Sequence, residues 1–183
     1  MKKTIILLGC LILVNTLFAN QSVDTIPEPE FINFIYQFDK SNNKLVDLEK
    51  ANVEMKMKMK VIGGGSQSYA IDGSKSPVRL NESARSFMIT ISGGAMTSDP
   101  SYSLSFYKLE SKKSSREAPI AGYGGMNTSQ KSKQMVELRF KKIKEGTYEI
   151  IVANKLEKGE YGFINMSNMN SSGKITLFAF GID

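Results

Sequence analysis

The sequence predicts an all-β protein, a single antiparallel Greek-key-like β-sandwich of about ten strands, with a closed β-barrel as the alternative. Three observations carry this. Apolar residues recur at a period of two in run after run, which is the period of a half-buried strand. Clusters of Gly, Asn, Asp and Ser separate the runs at about 8–15 residues, the rhythm of hairpins rather than of alternating strands and helices. The 3.6-residue helical period is nearly absent. It surfaces only over 45–59, where Leu45, Leu48 and Glu49 have helical spacing but the methionines that follow repeat at two.

The elements follow in order. After a linker with Pro27 and Pro29, the run 31–38 reads as the first strand, Asp39-Lys40-Ser41-Asn42-Asn43 as a turn, and 44–50 as the returning strand of a hairpin. Over 53–62, Met55, Met57, Met59 and Val61 fall on one face and Lys56, Lys58 and Lys60 on the other, until Gly63-Gly64-Gly65 breaks the run. A short strand over 69–71 ends at the tight-turn dipeptide Asp72-Gly73. Strands over 76–80 and 86–91 come next, then a loop bounded by Gly93-Gly94 and Asp99-Pro100, then an alternating strand over 102–109. The stretch 110–135 reads as one or two long surface loops around a short strand near 118–121. Strands over 136–140, 147–152, 160–166 and 174–180 complete the set. In the last of them Ile175, Leu177 and Ala179 share one face and Phe178 and Phe180 the other. This predicts a strand covered on both sides.

Composition removes several chemistries. The 183 residues include no histidine, no tryptophan and one cysteine. A Ser-His-Asp triad, a Cys-His dyad and a His-ligated zinc are therefore excluded. Lys2 and Lys3, the apolar run 5–14, and Asn15-Thr16-Leu17-Phe18-Ala19 have the order of a secretory signal peptide, with cleavage expected after Ala19. The apolar run is shorter than the roughly 20 residues that span a bilayer, so no transmembrane span is expected in the mature chain. Leu7-Leu8-Gly9-Cys10 has the form of a lipobox, whose cysteine is lipidated. The apolar run continues through Leu11-Ile12-Leu13-Val14, however, where a lipoprotein turns polar. The expected organisation is a signal peptide over 1–19, a linker over 20–30 and one domain over 31–183. The domain is exported to the periplasm, the outer membrane or the medium, and without cysteine it holds no disulfide.

Leu156-Glu157-Lys158-Gly159-Glu160-Tyr161 has the spacing of a tyrosine corner, in which a tyrosine at a strand start bonds the backbone a few residues upstream. Gly159 would make the turn and Tyr161 the bond, both structural. Gly159-Glu160-Tyr161-Gly162-Phe163 and the closing Phe178-Ala179-Phe180-Gly181-Ile182-Asp183 resemble an uncharacterised secreted bacterial β-sandwich family. Its members carry a G-E-Y-x-[LF] strand and a final F-x-F-G-[IV]-D. Ser76-Pro77-Val78-Arg79-Leu80 fits the same pattern. The resemblance implies a secreted single domain over 31–183 and lends no activity.

Candidate chemistry is sparse. Met55, Met57 and Met59 are soft thioethers on one strand face, a pattern suited to Cu(I), and equally the core face of a half-buried strand. The latter is the expectation. Lys56, Lys58, Lys60, Lys112, Lys113 and Arg116 form a candidate patch for an anionic ligand, although edge lysines also block sheet-to-sheet association. Ser41-Asn42-Asn43-Lys44 matches S-x-x-K but lies in a turn, without a later K-T-G. Asp39, Asn42 and Asn43, or Asn168 and Asn170, offer oxygens without the spacing of an EF-hand. No catalytic residue and no cofactor is assigned. The expected function is that of an exported, non-enzymatic binding or envelope-assembly domain. Its partner would be an acidic envelope polysaccharide or another envelope protein, not nucleic acid. The alternatives are a small hydrolase or lyase built on Asp, Glu, Lys and Tyr, and a periplasmic Cu(I)-handling protein.

Overall fold

The computed structural model of the chain describes residues 25–59, 64–92, 99–124 and 127–183. The expected signal peptide with Cys10, and Lys60 of the basic row, lie outside the described residues.

The fold is all-β. Fourteen strands occur among the described residues: β1 (Ile35–Asp39), β2 (Lys44–Asp47), β3 (Glu49–Val53), β4 (Met55–Met59), β5 (Gly64–Asp72), β6 (Arg79–Leu80), β7 (Ser86–Thr90), β8 (Leu104–Ser111), β9 (Ser115–Gly124), β10 (Asn127–Lys131), β11 (Leu138–Lys144), β12 (Thr147–Val152), β13 (Gly159–Asn165) and β14 (Ile175–Ile182). Among the described residues the only helical pieces are two single 3₁₀ turns, Pro100–Tyr102 and Met166–Asn168. The stretch 110–135, expected as loops, instead carries the long β9 and the short β10. Its Ser, Gly and Lys content reads as loop, but β9 lies between β5 and the end of β8, which supply the ladder that local propensity does not.

One sheet runs β11-β12-β7-β1-β2, and the other β3-β14-β13-β8-β9-β5-β4, with β10 on β9 and β6 on β14. Pairing is antiparallel except for the two-residue β6. The sheets face each other as a sandwich, and chain crosses from one to the other on both flanks. On one flank β2 ends and β3 begins around Leu48, which is buried in the core between the sheets. On the other, the segment before β11 bonds β8, with Lys108 N donating to Gln134 O at 2.9 Å and Val136 N to Phe106 O at 2.8 Å. The sheets are thus joined by continuous chain on one flank and by hydrogen bonds on the other.

That first core holds Ile35, Phe87, Ile89, Ile150 and Val152 against Phe106, Tyr161, Phe163, Phe178, Phe180 and Ile182. Its rings stack closely, with Phe106 and Phe163 at 4.1 Å between centroids and Phe87 and Phe163 at 4.9 Å edge-to-face. A second core lies on the other side of the same strands. The long sheet curls past β8, so that β9 and β5 return over the back of β8, β13 and β14. They enclose Tyr107, Leu109, Ile164, Ile175, Leu177 and Ala179 together with Val53, Tyr69, Ile71 and Ala118. This is why β14 is apolar on both faces: Ile175, Leu177 and Ala179 enter the second core, and Phe178, Phe180 and Ile182 the first.

Residues 25–33 are tied to both ends of the five-stranded sheet. Asn43 Nδ2 donates to Thr25 O at 3.2 Å, Lys144 pairs with Glu28, and Asn33 N donates to Thr90 O at 2.6 Å. No helix among the described residues is long and apolar enough to cross a membrane.

Candidate functional site

The methionine strand lies differently from its expected place. β3 pairs with β14 as far as Val53, opposite Ile175, where β14 begins. Beyond that point β4 pairs with β5 alone among the described residues, Met55 facing Tyr69, Met57 facing Gln67 and Met59 facing Gly65. Paired residues share a face, so the methionines continue the face that Tyr69 presents to the second core. Tyr69 is buried, but Met55, Met57 and Met59 are 46%, 65% and 88% exposed, rising along the strand. The expectation that this face is core is therefore overturned. The alternation was real, but the opposing layer stops at Ile175, and Gly65 and Gln67, the β5 residues on this face, are too small or polar to shield the row. Truncation at an uncovered site removes little burial, so Met57→Ala is expected to cost less than about 0.5 kcal/mol in a denaturant titration. A core methionine would cost about 2–5 kcal/mol. The row also cannot gather three thioethers on one ion. Met55 and Met59 start about 13–14 Å apart on a straight strand, too far to share a ligand sphere, so one ion would take at most two neighbours.

The opposite face of β4 is basic. Lys56 is exposed. Lys58 Nζ lies 3.2 Å from both oxygens of Glu117, and Lys112 bonds the same carboxylate. Glu117 is 9% exposed, and its carboxyl is held below the usual range by the Lys112 hydrogen bond, with Lys58 adding to it against the effect of burial. Lys113 is exposed beside them. Arg116 does not belong to this patch. It precedes Glu117 on β9 and so points to the other face, into the end of the second core, where it is 1% exposed. The structure therefore brings Lys58 and Lys112 together, leaves Lys56 and Lys113 in solvent, and removes Arg116.

Arg116 sits in a buried ion network that sequence reasoning missed. Its guanidinium donates to both oxygens of Glu49 at 2.7 Å, to Gly73 O at 2.9 Å and to Asp72 O at 3.1 Å, and lies 3.5 Å from Glu160. Glu160 accepts from Ser76 N at 2.8 Å and from Arg79 Nη1 at 2.5 Å. Arg79 also donates to Asp183, at 2.6 and 3.1 Å. Burial pushes the Glu49 carboxyl up, but the hydrogen bonds led by Arg116, and the Arg116 charge, outweigh it and hold the group below its ordinary value. Three sequence pieces singled out above meet here: Ser76 and Arg79 from one, Glu160 from the second, Gly181 and Asp183 from the third. A Cβ on Gly181 would fall 1.6 Å from Arg79 Nη1, so glycine is required for the guanidinium to pass. The available signal was a charged residue inside an otherwise apolar strand, Glu160 next to Tyr161.

The tyrosine-corner bond is present, with Tyr161 Oη donating to Glu157 O at 2.9 Å and the ring in the first core. Gly159 has φ +151°, and Lys108 Cε would lie 3.2 Å from a Cβ there. Tyr161→Phe removes the donor and leaves a partly buried carbonyl, an expected loss of about 1–2 kcal/mol, read as a shift in the urea midpoint at unchanged slope.

A cleft of about 510 Å³ opens where the β1–β2 turn meets the segment before β7. Glu149, 4% exposed, lines it and accepts from Ser86 Oγ at 2.6 Å and Lys40 Nζ at 2.5 Å. Burial raises this carboxyl, but the Lys40 and Ser86 hydrogen bonds bring it below its usual value. It is thus an anion at neutral pH, fixed by a lysine, and is tuned away from proton transfer near neutrality. Arg85, at the mouth, donates from Nε to Val152 O and from Nη2 to Ala153 O. No family model, no curated protein and no solved structure matches this chain.

Proposed function

We propose that this chain is an exported, non-enzymatic binding or envelope-assembly domain that engages its partner through β4. The observation that carries the reading is the edge of β4, which pairs with β5 alone among the described residues, with an exposed methionine row on one face and lysines on the other. Exposed large apolar side chains concentrated on one short segment mark contact surfaces, and an edge strand offers its backbone to another chain. Two further features support it. The partly buried Glu49 and the buried Glu117 and Glu149 each have a cation at hydrogen-bonding distance and lie below their ordinary pKa, the reverse of the tuning a general acid needs. The basic, apolar and small-residue regions at the start of the chain have the order that directs export.

A photo-crosslinking residue in place of Met57, in the full chain expressed in a cell with an envelope, tests this. One discrete adduct with an envelope component is expected, and none from the same residue in place of Lys142, on the far sheet. N-terminal sequencing of the exported protein should begin at Asn20. An adduct pattern identical at both positions would remove β4 as the contact surface.

A further inference from the structure

We infer that the occupant of the β4 edge is an extended strand of a partner protein whose side chains alternate between apolar and acidic. This rests on the reading of β4 as the contact surface and adds the chemistry of the partner. A strand laid beside β4 places its side chains in the alternating frame of β4 itself. Positions opposite Met55, Met57 and Met59 then meet three exposed thioethers, and those opposite Lys56 and Lys58 meet cations.

The charges decide the class of partner. Lys58 and Lys112 share the carboxylate of Glu117, with Glu110 acting on Lys112 at longer range, and Lys56 has no carboxylate partner among the described residues. Because Glu117 keeps Lys112, Lys58 is free to be shared with an incoming acid. A second copy of the chain is disfavoured by the same groups. Antiparallel pairing centred on Met57 sets Lys56 of each copy against Lys58 of the other, and parallel pairing in register sets Lys56 against Lys56. Like charges directly opposite each other on a sheet are destabilising. Protection against aggregation would account for the lysines alone. It does not account for three large apolar side chains exposed on the same five residues, which a strand built only to repel would lack.

The test uses the full mature chain and short synthetic peptides capped by proline against self-assembly. One alternates Val with Glu, one alternates Val with Lys, and one has the Val and Glu composition in two blocks. The alternating Val–Glu peptide is expected to bind at least about tenfold more tightly than either of the others, and more weakly as salt rises. Lys56→Glu, with an unchanged unfolding midpoint as proof of folding, should remove that preference, and Lys58→Gln should reduce it. Equal binding of the Val–Glu and Val–Lys peptides overturns the inference, as does binding of an acidic polysaccharide in the absence of peptide binding. A dimer held through β4, seen by sedimentation and abolished by Met57→Glu, also overturns it. A discrete adduct at position 57 would survive each of these outcomes, so the contact surface and the chemistry of its partner fail separately.

Discussion

Removing residues 175–183 is expected to abolish the cooperative unfolding transition rather than trim a tail. β14 lies between β13 and β3, carries β6 along its end, and supplies both cores. Five of its large side chains, Ile175, Leu177, Phe178, Phe180 and Ile182, are at most 2% exposed. At about 1.5–3 kcal/mol for each such side chain, their burial alone contributes about 8–15 kcal/mol. That matches the entire net stability of an ordinary domain, about 5–15 kcal/mol. The deletion also strips β13 and β3 of a ladder partner. Far-UV circular dichroism through a urea titration checks this. A truncated chain that keeps a sharp transition would mean that the rest of the sheet closes without β14, and that this strand is available for exchange.

The second large effect is expected at Arg116. Arg116→Met keeps much of the volume and deletes the only cation bonded to Glu49 among the described residues. Breaking one partner of a buried pair costs about 3–5 kcal/mol, because the remaining charge stays desolvated. Glu160 is less affected, since Arg79 continues to donate to it. The loss has a pH signature. In the native protein the Glu49 carboxyl lies below its ordinary value, so its contribution is complete above about pH 4.3, the unfolded-state pKa, and fades as pH falls through the lower folded-state value. In the variant, burial acts on Glu49 without Arg116 and pushes it upward, so the variant is penalised most at neutral pH and relieved by acid. The stability gap between the two proteins should therefore be widest near pH 7 and narrow toward pH 3. A gap that is constant across this range would show that Arg116 acts by packing alone.

The same residues show how far local pattern carries. Tyr161 was readable because its motif is local: the bond to Glu157 O spans four residues, and the turn at Gly159 sets its geometry. The two-faced character of β14 was readable because an apolar residue at every position has to be covered on both sides wherever the strand lies. Met57 and Arg116 failed for related reasons. Alternation set Met57 with Met55 and Met59 opposite the lysines, and that division of faces holds, whereas Arg116 was read as part of a basic loop and was given no face at all. What covers a face is decided by another part of the chain. Over β4 the opposing layer ends at Ile175, and an apolar row is left in solvent. Over Arg116 the sheet curls until β3 and β13 bring Glu49 and Glu160 to it, and a basic residue is buried.

The sequence by itself therefore determined the class of fold, most of the strands, the division of faces within the alternating runs and the strand that must be covered on both faces. All of these follow from the period of the backbone and the chemistry of neighbours within a few residues. Only the tertiary structure decided that the long sheet curls to make a second core and that 110–135 supplies two of its strands. It also placed the ion network at the end of that core and left the methionine row of β4 without cover. The ion network, for example, depends on contacts between residues far apart in the chain, Arg79 with Glu160 at 81 positions and Arg116 with Glu49 at 67, where sheet twist and strand length set the meeting point.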